Sequence, residues 1–279
     1  MRRGVGMRGA VVALAMTAAM TGCGSTGGGE DRSPGGSATP SRATLTPLPT
    51  TAPATVADRC LVDAPGAVER LTGSDGSSVT GATYGSGPTA VVLLHQTGAG
   101  GFCGWVPYAR WLGARGVLAV AVDDCLHGAP RCTPQVAGDT RAQVALAVDR
   151  ARARGATKVA VVGASMGGAR ALGVGQAAGA DAVVDLSGPE RWEGVPDAVE
   201  AARATSVPLL VVSSDGDTGI DGDLLDEAVA ASPATVADRW RLTGDRHGWD
   251  VVTDGIGNDA TVSPDGGTLL RWLRTALAG

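Results

Sequence analysis

The fold of this chain is decided by the stretch VAVVGASMGG, residues 159–168. Its first half is a short β-branched run, and its second half opens a segment of small residues that predicts a helix. Gly163 and Gly167 flank Ser165 in a G-x-S-x-G pattern at the turn between the two. A turn this sharp would strain the backbone of Ser165, and it requires tiny residues on both sides. The hydroxyl would then stand at a helix N-terminus, where the helix dipole favours developing negative charge.

The pattern alone is weak evidence, because the chain has 43 Gly among its 279 residues. Its context makes it specific, since short apolar runs alternate with helical stretches on either side. Strands are predicted over 90–95, 117–122, 159–163, 182–186, 209–213 and 239–243, after an antiparallel hairpin over 70–84. Helices are predicted over 105–115, 140–154, 165–177, 196–204, around 224–229 and from 264 onward. Strands that are apolar on both faces and alternate with helices predict an α/β protein with a mostly parallel sheet covered on both faces.

A serine nucleophile needs a base, and histidine is the natural one at neutral pH. The chain has three histidines, His95, His127 and His247. An acid is expected after the strand that begins at Leu209, where Asp215 and Asp217 are both candidates. Asp217 is favoured by its distance from the end of that strand. Asp215 is the alternative, and it would otherwise form a turn.

Four segments of the chain together resemble the α/β-hydrolase superfamily, and the resemblance covers nearly all of residues 65–279. They are VVLLHQ (91–96), GASMGG (163–168), the loop with Asp217, and the His-Gly-Trp triplet at 247–249. The order in that family is nucleophile, acid, histidine, and His247 is the only histidine after Ser165. The resemblance therefore implies Ser165 as nucleophile, Asp217 as acid and His247 as general base.

The resemblance also implies an oxyanion hole built from backbone N–H groups. One would belong to Met166 and the other to a residue just after His95. The family usually has His-Gly at that point, whereas this chain has His95-Gln96, so the second donor stays open between Gln96 and Thr97. Only about twenty residues lie between Leu186 and Pro208, so no large cap domain is expected. The expected lack of a large cap and the His-Gly-Trp triplet resemble features of the dienelactone-hydrolase-like branch of the superfamily. The enzyme that gives this branch its name uses a cysteine nucleophile.

The sequence also suggests roles for the two remaining histidines and for two of the tryptophans. His95 is expected to be structural, beneath the oxyanion loop, and His127 to be an ordinary loop residue. Trp192 and Trp249 are substrate-pocket candidates, because they fall near loops at the carboxyl edge of the sheet, where ligands bind in such folds. No metal or other cofactor is expected, since the sequence has no Cys-x-x-Cys pair and few histidines.

The N-terminal segment has the features of an export signal. Three Arg precede an apolar run from Ala10 to Met20, and the sequence Met20-Thr21-Gly22-Cys23 resembles a bacterial lipobox. Residues 1–22 are therefore predicted to be a lipoprotein signal peptide, with Cys23 lipidated and the protein anchored outside the cytoplasm; ordinary cleavage with an unmodified Cys23 is the alternative. Residues 23–57 are rich in Gly, Ser, Thr and Pro and are predicted to be a flexible tether to a domain over 58–279.

Four further cysteines, Cys60, Cys103, Cys125 and Cys132, are expected to form two disulfides in an exported chain. Three pairings are open. The short spacing across a Gly- and Pro-containing loop favours Cys125 with Cys132, which leaves Cys60 with Cys103.

The charge balance excludes one class of partner. The net charge is −5, and it becomes about −8 once residues 1–22, with three Arg and no acid, are removed. An acidic chain with a single Lys has no surface for nucleic acid. The expected partners are a small-molecule ester and the membrane that holds the anchor, and we expect a monomer.

These residues predict a lipid-anchored serine hydrolase that cleaves a carboxylic ester. Two alternatives remain open. The chain could be a catalytically silent surface lipoprotein that uses the hydrolase scaffold to bind a ligand. It could also be a peptidase or an acyltransferase that uses the same three residues.

Overall fold

The fold is built around one eight-stranded sheet with the strand order β1-β2-β4-β3-β5-β6-β7-β8. It is described here from a computed structural model, over residues 55–98, 100–255 and 257–278. The strands are β1 (Glu69–Thr72), β2 (Ser78–Tyr84), β3 (Thr89–Leu94), β4 (Leu118–Val122), β5 (Lys158–Ala164), β6 (Ala182–Leu186), β7 (Leu209–Ser214) and β8 (Ala237–Leu242). The first three strands in this order pair antiparallel, and all the others pair parallel. The predicted α/β class and the hairpin are confirmed.

Helices cover both faces of the sheet, as the apolar strands require. They are α1 (Val56–Cys60), α2 (Val106–Gly113), α3 (Pro134–Ala137), α4 (Thr140–Ala153), α5 (Met166–Val174), α6 (Ala198–Ala204), α7 (Gly222–Ala231) and α8 (Pro264–Ala276). Two short strands, β9 (Thr253–Asp254) and β10 (Thr261–Val262), form a separate ribbon. Only α6 lies between β6 and β7, in agreement with the expectation of no large cap.

The core has two apolar layers, one on each face of the sheet. Alternate residues of β3 enter opposite layers: Val91 and Leu93 face α2 and α8, whereas Val92 faces α4, α6 and α7. Each strand from β4 to β7 is buried along its whole length except for Lys158 at the start of β5. The sheet therefore forms the apolar interior of the domain, and the loops that follow its strands supply the polar groups of the candidate site. No helix among the described residues is long and apolar enough to cross a bilayer.

Local sequence signals account for where the helices begin. The Asp139 side chain accepts a hydrogen bond from the Ala142 amide at 3.0 Å and caps α4, and Ser263 caps α8 ahead of Pro264. The predicted helix over 105–115 is shorter in the structure. A 3-10 turn occupies Gly101–Trp105, and α2 begins at Val106 because Pro107 is tolerated only in a first helical turn.

Helix α1 begins within the segment that the sequence predicts as tether. Thr55 caps α1, Val56 is fully buried, and the Val56 amide donates to the Gly66 carbonyl at 3.0 Å. The boundary between tether and domain at residue 57 stays a prediction. Cys23, the signal peptide and residues 23–54 of the tether lie outside the described residues.

Two disulfides hold segments that lie outside the strands. Cys60 of α1 pairs with Cys103, and Cys125 pairs with Cys132, with Cα separations of 5.3 and 6.0 Å. This is the pairing that the spacing favours. The first disulfide holds α1 against the segment after β3, and the second closes the loop after β4.

Candidate active site

Ser165 occupies a strained turn between β5 and α5. Its backbone has φ 51° and ψ −118°, a left-handed conformation that residues with a Cβ atom rarely adopt. The Ser165 amide donates to the Leu186 carbonyl at 2.8 Å, which ties the turn to the neighbouring strand β6. A Cβ atom on Gly163 would collide with the Gly167 carbonyl, so the tight approach of strand and helix requires glycine. The strain that the sequence predicts is present in the structure.

Asp217 and His247 are brought together from the ends of β7 and β8. His247 Nδ1 lies 2.7 Å from Asp217 Oδ2, and the Asp217 carboxylate is 8% exposed whereas the imidazole is 37% exposed. A buried carboxylate on Nδ1 holds that nitrogen as the protonated one, which leaves Nε2 free to accept a proton. Asp215 is exposed, and its amide pairs with the Leu242 carbonyl at 2.8 Å. The structure therefore places Asp217, and not Asp215, on the histidine.

The His247 loop packs directly against the serine turn. Gly248 has φ 59°, and a Cβ atom built on it would lie 3.3 Å from the Cβ atom of Ala164, the residue before Ser165. Gly248 also starts the 3-10 turn Gly248–Val251, in which the Asp250 amide donates to the His247 carbonyl at 3.1 Å. The three predicted residues therefore share one edge of the sheet, at the carboxyl ends of β5, β7 and β8.

Met166 and Gln96 lie at the same edge of the sheet as Ser165, one in α5 and the other after β3. Met166 is the first residue of α5, and the first N–H groups of a helix have no acceptor within it. Gln96 follows β3, and its side-chain Oε1 accepts from the Trp249 amide at 3.4 Å. Thr97 is exposed. The assignment of the second oxyanion donor to Gln96 or Thr97 stays a prediction, but the Gln96 carboxamide already has a structural partner.

Comparison with known proteins was made on sequence and on structure. No protein-family model matches the sequence, and comparison with curated proteins finds no match. An esterase of Pyrococcus furiosus matches the structure with a TM-score of 0.58 at 14% identity, covering 83% of this chain and 99% of the esterase. Esterase 2 of Thermogutta terrifontis, solved phosphorylated by paraoxon, matches with a TM-score of 0.57 at 16% identity, covering 77% and 96%. This chain has the α/β-hydrolase fold.

The two tryptophans predicted as pocket residues differ in their surroundings. Trp249 packs edge-on against Trp105, with ring centroids 6.3 Å apart, and lines a groove of about 650 Å³ beside α2 and the Cys60–Cys103 disulfide. None of Ser165, Asp217 and His247 lines this groove, so the role of Trp249 in a substrate pocket stays a prediction. Trp192 is half-buried in the segment between β6 and α6, and its place in a substrate pocket stays a prediction.

Asp185 is a residue beneath the site that sequence reasoning missed. It lies within β6, is fully buried, and its Oδ1 accepts from the Gly188 amide at 2.6 Å. A Cβ atom on Gly168 of α5 would collide with this carboxylate, so the acid packs directly under the nucleophile helix. Burial raises its pKa to about 7, against the hydrogen bond from Gly188. The one available signal was an acid inside the otherwise apolar run AVVDL.

A second polar cluster lies behind the oxyanion loop. It contains His95, whose side chain is 2% exposed, together with Asp124, His127 and Arg170. Burial lowers the pKa of His95, so the ring is neutral at neutral pH. Burial alone would raise the pKa of Asp124, but hydrogen bonds from Arg170, His127 and the Leu126 amide lower it to about 2. His95 has the buried position that the sequence predicts, whereas His127 is part of this cluster and not an isolated loop residue.

Proposed function

We propose that this protein is a serine hydrolase that cleaves small-molecule carboxylic esters through an acyl-enzyme. The observation that carries the proposal is Ser165 in its strained left-handed turn, with the loop of the Asp217-bonded His247 packed against it. Strain at a single polar residue is maintained only where the surrounding structure enforces it, and it is concentrated at functional sites. The esterase neighbours support the same reaction class by analogy of fold.

The first half-reaction would form an ester of Ser165. Its Oγ attacks the substrate carbonyl carbon while His247 Nε2 takes the hydroxyl proton. Asp217 stabilises the imidazolium that results, and the Met166 amide with one amide after His95 donates to the oxyanion. The tetrahedral intermediate then collapses, and His247 returns the proton to the departing alcohol.

The second half-reaction would regenerate the enzyme. Water attacks the acyl carbonyl, His247 takes its proton, and the intermediate expels the Ser165 oxygen, which recovers that proton. A carboxylic acid leaves. Because α6 is the only helix between β6 and β7, this connection forms no large lid, and soluble esters are expected as substrates in preference to interfacial lipids.

Fluorophosphonate labelling of the purified protein tests the proposal, with mass spectrometry to locate the adduct. We expect one adduct on Ser165, absent from Ser165→Ala and strongly reduced in His247→Ala. Ser187 is a matched control, because it directly follows the adjacent strand β6 and has φ 55°, close to the 51° of Ser165; Ser187→Ala should still be labelled. A folded sample without an adduct would contradict the proposal and favour the ligand-binding alternative.

Hydrolysis assays on short-chain p-nitrophenyl esters then identify the substrate class. Turnover that depends on Ser165 supports an esterase. A Ser165 adduct without ester turnover would instead favour the peptidase or acyltransferase alternative, which uses the same three residues.

We also propose that the protein is held at the outer face of the cell membrane through lipidated Cys23. Two disulfides support an oxidising compartment. Replacing Cys23 with Ser is expected to move the protein from the membrane fraction to the soluble fraction with its ester turnover intact. Retention of the Cys23→Ser variant in the membrane fraction would contradict the anchor.

A further inference from the structure

His95, Asp124 and His127 form a compact group of metal-ligand side chains away from the serine. They come from the carboxyl ends of β3 and β4 and from the loop closed by Cys125–Cys132. One ring nitrogen of each histidine and one Asp124 oxygen all lie within 4.8 Å of one another. The two imidazole rings meet edge-on, with centroids 4.4 Å apart. The group therefore converges on one point behind the oxyanion loop.

The unpaired nitrogen of His95 is the first indication of a ligand. His95 Nδ1 lies 2.7 Å from the Gln96 carbonyl oxygen, and only a protonated nitrogen can donate to a carbonyl. Nε2 is then the lone-pair nitrogen, and it is buried with no hydrogen-bond partner among the described residues. The nearest carboxylate oxygen, Asp124 Oδ2, is 3.9 Å away. A buried acceptor left unsatisfied is costly, so a partner is expected at this point.

The hydrogen bonds around the group are those of a metal site. A ligating histidine commonly donates its other ring N–H to a backbone carbonyl, as His95 does, and ligating carboxylates are themselves hydrogen-bonded. Asp124 accepts from the Leu126 amide at 2.8 Å, from His127 Nδ1 at 2.7 Å and from Arg170 Nη1 at 2.6 Å. The position of the carboxylate is therefore determined by Arg170 of α5 and by the loop after β4.

Space for an ion is present beside these groups. A cavity of about 20 Å³ is lined by His95, Asp124 and Arg170, with apolar residues behind them. A site of roughly 10–15 Å³ accommodates one water-sized species. His127 is half-buried and lies outside the lining of this cavity, so metal binding requires its side chain to turn toward His95 and Asp124.

We propose that His95, Asp124 and His127 bind one divalent transition-metal ion of the Zn²⁺ class, with water completing a tetrahedral shell. Two imidazole nitrogens and one carboxylate oxygen are donors that suit Zn²⁺. Ligands on tetrahedral zinc lie about 3.3 Å apart for bonds of about 2.0 Å. The three ligand atoms, which lie within 4.8 Å of one another, therefore have to approach by no more than about 1.5 Å. The ion is structural: it joins the loop after β4 to the segment that continues into Gln96.

The Arg170 guanidinium sets the expected strength of the site. It neutralises part of the Asp124 charge, so the site binds Zn²⁺ less tightly than structural sites with thiolate ligands. The inference does not rest on the proposed ester hydrolysis, because none of the three ligands belongs to the serine site.

Calorimetric titration of the purified, chelator-treated full chain with ZnCl₂, without reductant, tests the proposal. Because the chain has three histidines, three single variants are enough to measure the contribution of each one to Zn²⁺ affinity. We expect one Zn²⁺ per chain, and an affinity at least about 100-fold lower in His127→Ala and His95→Gln. The control His247→Ala, which removes the one histidine outside the group, should bind Zn²⁺ as the parent does.

Two results would overturn the proposal. One is the absence of stoichiometric Zn²⁺ binding in the parent protein. The other is binding that survives in His127→Ala, or that is lost in His247→Ala instead. His95 is buried, so its variant can fail to fold, and the half-buried His127 then decides the outcome alone. A second readout is the thermal midpoint, which Zn²⁺ should raise in the parent protein and not in His127→Ala.

Discussion

The Gln96 side chain is hydrogen-bonded to the loop that carries His247, the proposed general base. Its Oε1 accepts from the Trp249 amide at 3.4 Å, and the same oxygen lies where a Cβ atom on Gly248 would stand. Gly248 is the residue after His247. The departure from the usual His-Gly pair therefore has a structural role, because the glutamine links the oxyanion loop to the histidine loop.

Gly248→Ala should impair catalysis much more than folding. The new methyl group would displace either Gln96 or the His247 backbone, and a displacement of about 1 Å at a reacting group can cost about 100-fold in rate. We expect kcat/KM for a short-chain ester to fall at least about tenfold. The measurement is steady-state kinetics together with circular dichroism.

Gly257→Ala provides the matched control for this variant. Gly257 has φ 62°, close to the 59° of Gly248, but open space surrounds its missing Cβ. Both variants carry the same backbone strain, and only Gly248→Ala creates a collision. Equal losses of activity in the two variants would show that strain, and not the contact with Gln96, is responsible.

Asp217→Asn and Asp215→Asn should separate the two candidate acids. Asp217 contacts His247 Nδ1 at 2.7 Å, whereas Asp215 is exposed on the same turn. An amide at 217 would hold the imidazole in the wrong tautomer, and that change costs about 10⁴-fold in kcat in a well-characterised serine triad. We expect a loss of that order for Asp217→Asn and a change within about threefold for Asp215→Asn. A comparable loss in both variants would contradict the assignment.

Asp185 should make the stability of the domain fall as pH rises. Its pKa is about 7 in the folded protein and about 4 in an unfolded chain. Between these values the folded protein keeps a proton that the unfolded chain releases, so the contribution of Asp185 to stability is fully present below pH 4 and is lost as pH rises toward 7. Three pH units correspond to a loss of about 4 kcal/mol.

Comparison of the Asp185→Asn variant with the parent protein isolates the pH dependence that is due to Asp185. Asparagine resembles the protonated acid and does not titrate, so the free energy of unfolding from urea titrations should decline less between pH 4 and 7 than in the parent. Identical pH profiles for the two proteins would show that Asp185 does not govern this dependence.

The two disulfides should contribute unequally to stability. Cys60–Cys103 spans a sequence separation of 43, and Cys125–Cys132 spans 7. Restriction of the unfolded chain predicts about 4 kcal/mol for the longer loop and about 2 kcal/mol for the shorter one. Urea unfolding of Cys60→Ala/Cys103→Ala and of Cys125→Ala/Cys132→Ala tests the order. A larger loss in the second double variant would mean that the loop after β4 has a further stabilising role.

Local sequence was sufficient for the elements and for the serine turn. Apolar β-branched runs predicted the strands from β3 to β7, because strands buried on both faces must be apolar throughout. β1 and β2 were predicted as a hairpin, and β8 is only partly buried. Glycines around Ser165 predicted the strained turn, since only residues without a side chain permit that approach. Helix boundaries were less accurate where a proline such as Pro107 moved the start of α2.

What the sequence by itself determined is the α/β class and the serine turn at Ser165, because each depends on a short local pattern. The resemblance to the α/β-hydrolase superfamily added His247, and the choice between Asp217 and Asp215 needed the contact with His247 that the structure shows. Only the tertiary structure decided that Gln96 holds the Gly248 loop, that Asp185 lies under α5, and that His95, Asp124 and His127 converge. These contacts join residues from different strands and loops. Their partners are set by the order and register of the strands, which no local pattern specifies.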